Sequence, residues 1–330
     1  MERFTPARFW TLLVICAVLA LAPLILPASL LPEATRVVIL AGTAMSLNVL
    51  VGSTGLISLG QGMFLGLGAY IVSVGTLKFG LGFWSAAALA LGISVPMSLL
   101  TALVTLRARH LFFGLLTLGL GQVAFVYVAS SYTLTGGDDG LIGVPIPSWL
   151  DGDIAHHYAS VCVLLVVCLL LLRLLASPFG VMLGAVRDNR DRVAAIGANP
   201  KLYEIAAMVI ASVLGTLFGV VWVLAEGSVE PSIVSWMTSA ILLNMVAIGG
   251  RTWFFGPLLG AVLLEASRAA VQVHSAHSDL VVGGVVILCA LLCPEGIGSL
   301  FKKIVWSRSR QPLAKPDPAA ARQPLAGEQR

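Results

Sequence analysis

Charge is scarce in this sequence: 11% of its 330 residues are Asp, Glu, Lys or Arg, while 58% are hydrophobic. A soluble globular domain carries about 25% charged residues, so that class is excluded. Acidic residues are missing over long stretches. None occurs between Glu33 and Asp138, between Asp153 and Asp188, or between Glu230 and Glu265. No lysine follows a glycine, so the phosphate-cradling loop that ends in Gly-Lys-Ser/Thr is absent. There is no His-Glu-x-x-His, no dense His/Asp cluster and no nucleophile–base pattern, and the chain is expected not to be an enzyme. Cys16, Cys162, Cys168, Cys289 and Cys293 all lie in apolar runs without a Cys-x-x-Cys, which reads as small buried hydrophobes. The ten-residue alternation of a membrane β-barrel is also lacking.

What is present is a series of apolar runs near the roughly 20 residues that a bilayer-spanning helix needs. Charge, Gly and Pro divide them into ten expected spans, at about 9–31, 36–52, 56–77, 82–106, 110–132, 157–176, 204–225, 233–249, 254–271 and 279–294. Only Gly52–Gly55 separates the second from the third. The first run is too long for a signal peptide and reads as a retained helix. The fold class is therefore an all-α polytopic membrane protein of about ten transmembrane helices. Residues 1–306 form its membrane domain, and the Pro-, Ala- and Arg-rich 307–330 read as a disordered cytoplasmic tail.

Basic residues orient it, because they concentrate on the cytoplasmic side. With the N-terminus inside, cytoplasmic segments hold Arg3, Arg8, Arg107, Arg109, Arg187, Arg190, Arg192, Lys201 and Arg251, and external ones hold only Arg36 and Lys78. The loop 133–156 contains Asp138, Asp139, Asp151 and Asp153 and no basic residue, and falls outside.

The segment 177–203 interrupts this oily chain. Arg187, Asp188, Arg190, Asp191, Arg192, Lys201 and the adjoining Glu204 are too many charges for a span. Asn189 is placed to cap a short helix over about 190–196, Gly197 to supply its left-handed stop, and Pro200 to prevent its continuation. Val193 and Ile196, three apart, would share one face as a small apolar docking patch; the alternative is an ordinary basic loop.

Polar groups at span depth are Asn48, Ser58, Gln61, Thr117, Gln122 and Asn244. They suit either interhelical hydrogen bonds or a translocation path. The glycines of 52–68 suit either close helix packing or interrupted helices lining a path. Glu265 and Arg268 are spaced to pair across one helical turn. His156, His157, His274, His277 and Asp279 lie near external span ends as loop residues, without the dense ligand pattern of a metal site.

Several stretches in order resemble one family. They are LNVLVGSTGLISLGQGMFLGLGAY (47–70), LFFGLLTLGLGQV with LTGGDDGL (134–141), SPFGVMLGAVRDN leading to AAIGANPKLYEIAAMVIASVLGTLFGVV, and IGG with FGPLLGAVLLE. Over about 36–295 the chain is similar to the permease subunit of branched-chain amino acid ABC importers. The resemblance implies the fold of type II ABC importer permeases and a bacterial inner-membrane location with both termini cytoplasmic. It also implies two ATPase subunits, a second permease subunit and an external solute-binding protein. In such importers the loop at 177–203 docks a coupling helix on the ATPase, which assigns Arg187, Asp188, Arg190, Val193, Ile196 and Gly197 to coupling. Asn48, Ser58, Gln61, Gln122 and Asn244 become candidates for the translocation path. Gly136, Gly137, Asp138 and Asp139 become candidates for contact with the binding protein, or else form a solvated acidic turn. ATP would be bound by the partner, with no cofactor, metal or nucleic acid in the permease. The alternatives are an ABC permease for urea, short amides or sugars, and an ion-coupled carrier; the missing midplane carboxylate weighs against proton coupling.

Overall fold

A computed structural model describes residues 27–108 and 111–272, together with 19, 21–24, 283–284, 287, 291 and 296–298. Most of the first and tenth expected spans, the tail, His274, His277, Asp279, Cys16, Cys289 and Cys293 lie outside the described residues.

Among the described residues, ten α-helices of six or more residues follow one another: α1 (Leu31–Asn48), α2 (Gln61–Leu77), α3 (Phe83–Thr105), α4 (Leu111–Ser130), α5 (Asp153–Ala176), α6 (Pro178–Asp188), α7 (Arg190–Ala195), α8 (Pro200–Glu226), α9 (Trp236–Gly249) and α10 (Gly256–Gln272). Five helical stretches among the described residues are long and apolar enough to cross a membrane: Ala28–Thr54, Phe83–Thr105, Leu111–Ser130, Asp153–Ala176 and Pro200–Glu226. α2 and α9 are apolar but shorter. Helices thus occupy the second to ninth expected spans, with shifted ends.

The chain is not helical throughout. β1 (Leu141–Ile142) pairs antiparallel with β2 (Ser228–Val229), Leu141 opposite Val229 and Ile142 opposite Ser228. This ladder ties the 133–152 loop to the turn between α8 and α9. Backbone N–H groups of Gly143 and Val144 both donate to the Gly227 carbonyl, at 3.1 and 3.0 Å.

α8 is the central helix, packed against α1, α2, α3 and α5. Lipid chains are as apolar as leucine, so packing in a membrane depends on close approach of small residues. A Cβ on Gly68 would lie 2.1 Å from the Thr216 carbonyl oxygen, and one on Gly219 would lie 1.9 Å from that of Leu65. A Cβ on Gly42 would enter the ring of Phe218 at 2.0 Å. At Gly68, within the glycine-rich stretch of α2, close packing is therefore the observed role.

Candidate functional site

The second and third expected spans are separated by a structured joint that is longer than the Gly52–Gly55 punctuation implied. α1 loosens into a π-helical turn, Val49–Thr54, and Gly55 ends it at φ 76°. Residues 55–60 are not helical, so the helix of the third expected span begins at Gln61 rather than at 56. Backbone at membrane depth needs partners, and these come from neighbouring side chains. Leu59 N–H donates to Thr117 Oγ1 at 3.0 Å, and Gly60 N–H to Ser58 Oγ at 3.3 Å. Gly62 N–H donates to Ser239 Oγ at 2.9 Å. The Gln61 amide donates to Ser46 Oγ at 2.8 Å and to the Ala211 carbonyl at 2.9 Å, joining α1, α2 and α8. Ser58, Gln61 and Thr117 are buried in this joint.

Asn48, Gln122 and Asn244 are only half-buried, and no hydrogen bond brings them together among the described residues. Asn48 and Gln122 each keep a buried side-chain carbonyl oxygen without a partner. The five path candidates thus divide into two packed joint residues and three looser ones.

Segment 177–203 contains more structure than one short helix. Ser177 and Pro178 start α6, whose Gly180, Leu183, Gly184 and Val186 are buried. Spacing of three between Gly180, Leu183 and Val186 was the sequence signal for it. Asn189 then caps α7 by accepting from Arg192 N–H at 2.9 Å, and Gly197 stops it at φ 85°. Cap and stop stand where local chemistry placed them.

The shared apolar patch does not exist. Val193 is 2% exposed and Ile196 75% exposed. Val193 packs into the helical bundle, because one face of so short a helix must cover the bundle beneath it, while Ile196 is presented outward.

Two of the arginines also reach back to the helices beneath, while Asp188, Asp191 and Arg192 are exposed. Arg187 Nη1 donates to the Gly52 carbonyl at 2.7 Å, while Asp188 Oδ1 holds the same guanidinium at 3.0 Å. Arg190 pairs with Glu204 of α8 at 3.1 Å, with side-chain exposures of 21% and 4%.

In the acidic loop, Gly136, Gly137 and Gly140 all have positive φ, at 80°, 63° and 70°. A Cβ on Gly140 would lie 2.2 Å from the Val229 carbonyl oxygen. Asp138 and Asp139 sit on a single 3-10 turn, Gly137–Asp139, and are exposed.

Elsewhere, Arg268 Nη1 donates to Glu265 Oε1 at 3.2 Å, the spacing expected of an intrahelical pair. Arg36 lies 3.8 Å from Glu226 and 5.0 Å from the centre of the Trp222 ring. His156 and His157 are not loop residues: they lie in the first turns of α5, and His157 is buried between Thr35 Oγ1, at 3.0 Å, and the Leu19 carbonyl, at 2.9 Å.

Residues 29–291 match the family described as branched-chain amino acid transport system / permease component. The chain is 27% identical over 291 residues to the high-affinity branched-chain amino acid transport system permease protein LivM of Salmonella typhimurium, covering 80% of this chain and 68% of that protein. It is 26% identical over 313 residues to the Escherichia coli protein of the same name, covering 86% and 74%. To the probable branched-chain amino acid transport permease protein LivM of Methanocaldococcus jannaschii it is 24% identical, covering 54% and 52%. No solved structure matches the chain. With that match spanning most of its length and five helices fit to cross a bilayer, the chain belongs to the branched-chain amino acid ABC transport permease family and is a multi-pass membrane protein, not an enzyme.

Proposed function

We propose that this chain forms the translocation path of an importer for branched-chain or related hydrophobic amino acids, driven by a separate ATPase. About ten spans would cross a bacterial inner membrane in the manner of type II importer permeases, with both termini cytoplasmic. Two ATPase subunits, a second permease subunit and an external solute-binding protein complete the assembly. ATP binds to the partner, and the permease carries no cofactor.

The observation that carries this reading is the α6–α7 segment. It is a charged pair of short helices set between apolar spans, the second capped by Asn189, with Ile196 exposed at its end and Leu202 exposed just beyond it. An exposed isoleucine among charges suits a hydrophobic groove on a partner. Along the path, the unpartnered oxygens of Asn48 and Gln122 are acceptors suited to an ammonium group, with Asn244 as a third polar candidate. Asp138 and Asp139 offer charge to basic residues of a binding protein.

Ile196→Asp tests the docking. Because Ile196 touches little of the permease, the variant should fold and insert normally. A docked isoleucine contributes about 1.5–3 kcal/mol, and a carboxylate in its place adds a desolvation cost. ATPase co-purification and leucine uptake should both fall at least roughly tenfold. Wild-type values for both would overturn the docking site. Unlabelled urea or sugar competing better than leucine would overturn the solute class.

A further inference from the structure

We infer that Arg187 is an internal tie, a positioning residue that makes the joint after α1 follow the α6–α7 segment. This rests on the coupling role proposed above but changes what Arg187 does in it: the guanidinium faces the permease's own backbone.

Three observations carry the inference. First, Gly52 lies in the last turn of the α1 continuation, where carbonyls lack a following turn to accept from. The Arg187 guanidinium donates to that carbonyl at 2.7 Å and brings positive charge to the negative end of the helix. The bond is charge-assisted, and so stronger than a neutral one. Second, the contact is shaped at both partners. Asp188 Oδ1 accepts from Arg187 Nε and Nη2 at 3.1 and 3.0 Å, fixing the plane of the guanidinium. A Cβ on Gly55 would lie 3.1 Å from Arg187 Cγ, so the side chain's stem runs over the αL residue that ends the turn.

Third, the tie closes a circuit. From Gly52 the joint runs to Gln61, which donates to the Ala211 carbonyl of α8. Two helical turns back along α8, about 10 Å at 1.5 Å per residue, Glu204 meets Arg190 at the start of α7. From Arg190 the chain returns through Asp188 to Arg187. α6 is seated firmly within this circuit, with Leu183 and Val186 both buried. Displacing α6–α7 relative to α8 therefore cannot leave both anchors at rest; the element free to yield is the non-helical stretch 55–60.

The test uses Arg187→Gln and Arg187→Lys in the complete assembly, reconstituted in vesicles with ATPase and loaded binding protein. It also uses the permease alone carrying Ser53→Cys, with its five native cysteines replaced by alanine. Ser53 is half-buried in the π-helical turn. Arg187→Gln should co-purify normally with the ATPase and hydrolyse ATP, while transport per ATP falls roughly tenfold or more, the scale of one lost charged hydrogen bond. Maleimide labelling of Ser53→Cys should accelerate in the same background. Arg187→Lys, which can still donate to the Gly52 carbonyl, should restore part of both. Unchanged transport per ATP, or unchanged labelling at Ser53→Cys, overturns the tie. Loss of ATPase binding with labelling unchanged makes Arg187 a docking contact instead. If the wild-type permease binds no ATPase at all, the functional reading fails, and the labelling experiment still decides the tie.

Discussion

Glu204 shows how much a single residue can conceal from the sequence. It opens a long apolar run and looks like an interfacial charge, yet its side chain is only 4% exposed and Arg190 stands 3.1 Å away. Breaking a buried pair costs far more than removing both partners, because the survivor is left uncompensated. Arg190→Ala should therefore destabilise the permease by about 3–5 kcal/mol. Arg190→Met with Glu204→Leu should recover most of that loss, and melting in detergent measures both. Comparable losses in single and double variants would mean that an uncompensated Glu204 is not the source of the loss. Asn189 and Gly197 were legible in the sequence because capping and left-handed turns are local chemistry. The contacts that Arg187, Arg190 and Val193 make with the bundle were not, because helices as short as α6 and α7 do not say which of their faces meets it.

Among the elements, the acidic loop and the joint after α1 show opposite relations to the sequence. The loop announced itself: clustered glycines at 136, 137 and 140 required unusual backbone, and all three adopt positive φ. What they hold was hidden. β1 and β2 are two residues each and stand on either side of α5 to α8 in the chain, too short to leave a periodic signal. Gly140→Ala should strain both features, since its φ is 70° and a Cβ would lie 2.2 Å from the Val229 carbonyl oxygen. Gly143→Ala is the control: its φ is 78°, but nothing lies within 4 Å of a Cβ there. Limited proteolysis of the 133–152 loop should speed up markedly in the first variant and little in the second. Equal rates would mean that positive φ alone, not the contact with β2, holds the loop. The joint after α1 was the harder element to read. GSTG marked a boundary, but its partners Thr117, Ser239 and Ala211 come from three other helices, and such long-range hydrogen bonds leave no periodic trace in one sequence.

For the whole molecule, the apolar run lengths were the most legible feature, because bilayer thickness alone sets them. Helix ends were less so: α5 begins at Asp153, where apolar content alone placed a start near 157. The same helix gives a test of the architecture that does not depend on any relative. α5 has 24 residues, so it is about 36 Å long at 1.5 Å per residue, enough to cross a hydrocarbon core of about 30 Å. Ser148 precedes it, Ala194 follows it on α7, and both are exposed. Cysteines placed singly at these positions, in a background without native cysteines, should therefore react from opposite sides of the membrane. The excess of basic residues around Arg187, Arg190 and Arg192 further predicts that Ala194 faces the cytoplasm. In intact spheroplasts an impermeant maleimide should label Ser148→Cys, and Ala194→Cys should react only after the membrane is opened. Labelling of Ala194→Cys alone would reverse the orientation while keeping α5 as a span. Labelling of both from outside would remove α5 from the membrane, and with it the separation between the acidic loop and the α6–α7 segment on which the proposed coupling depends.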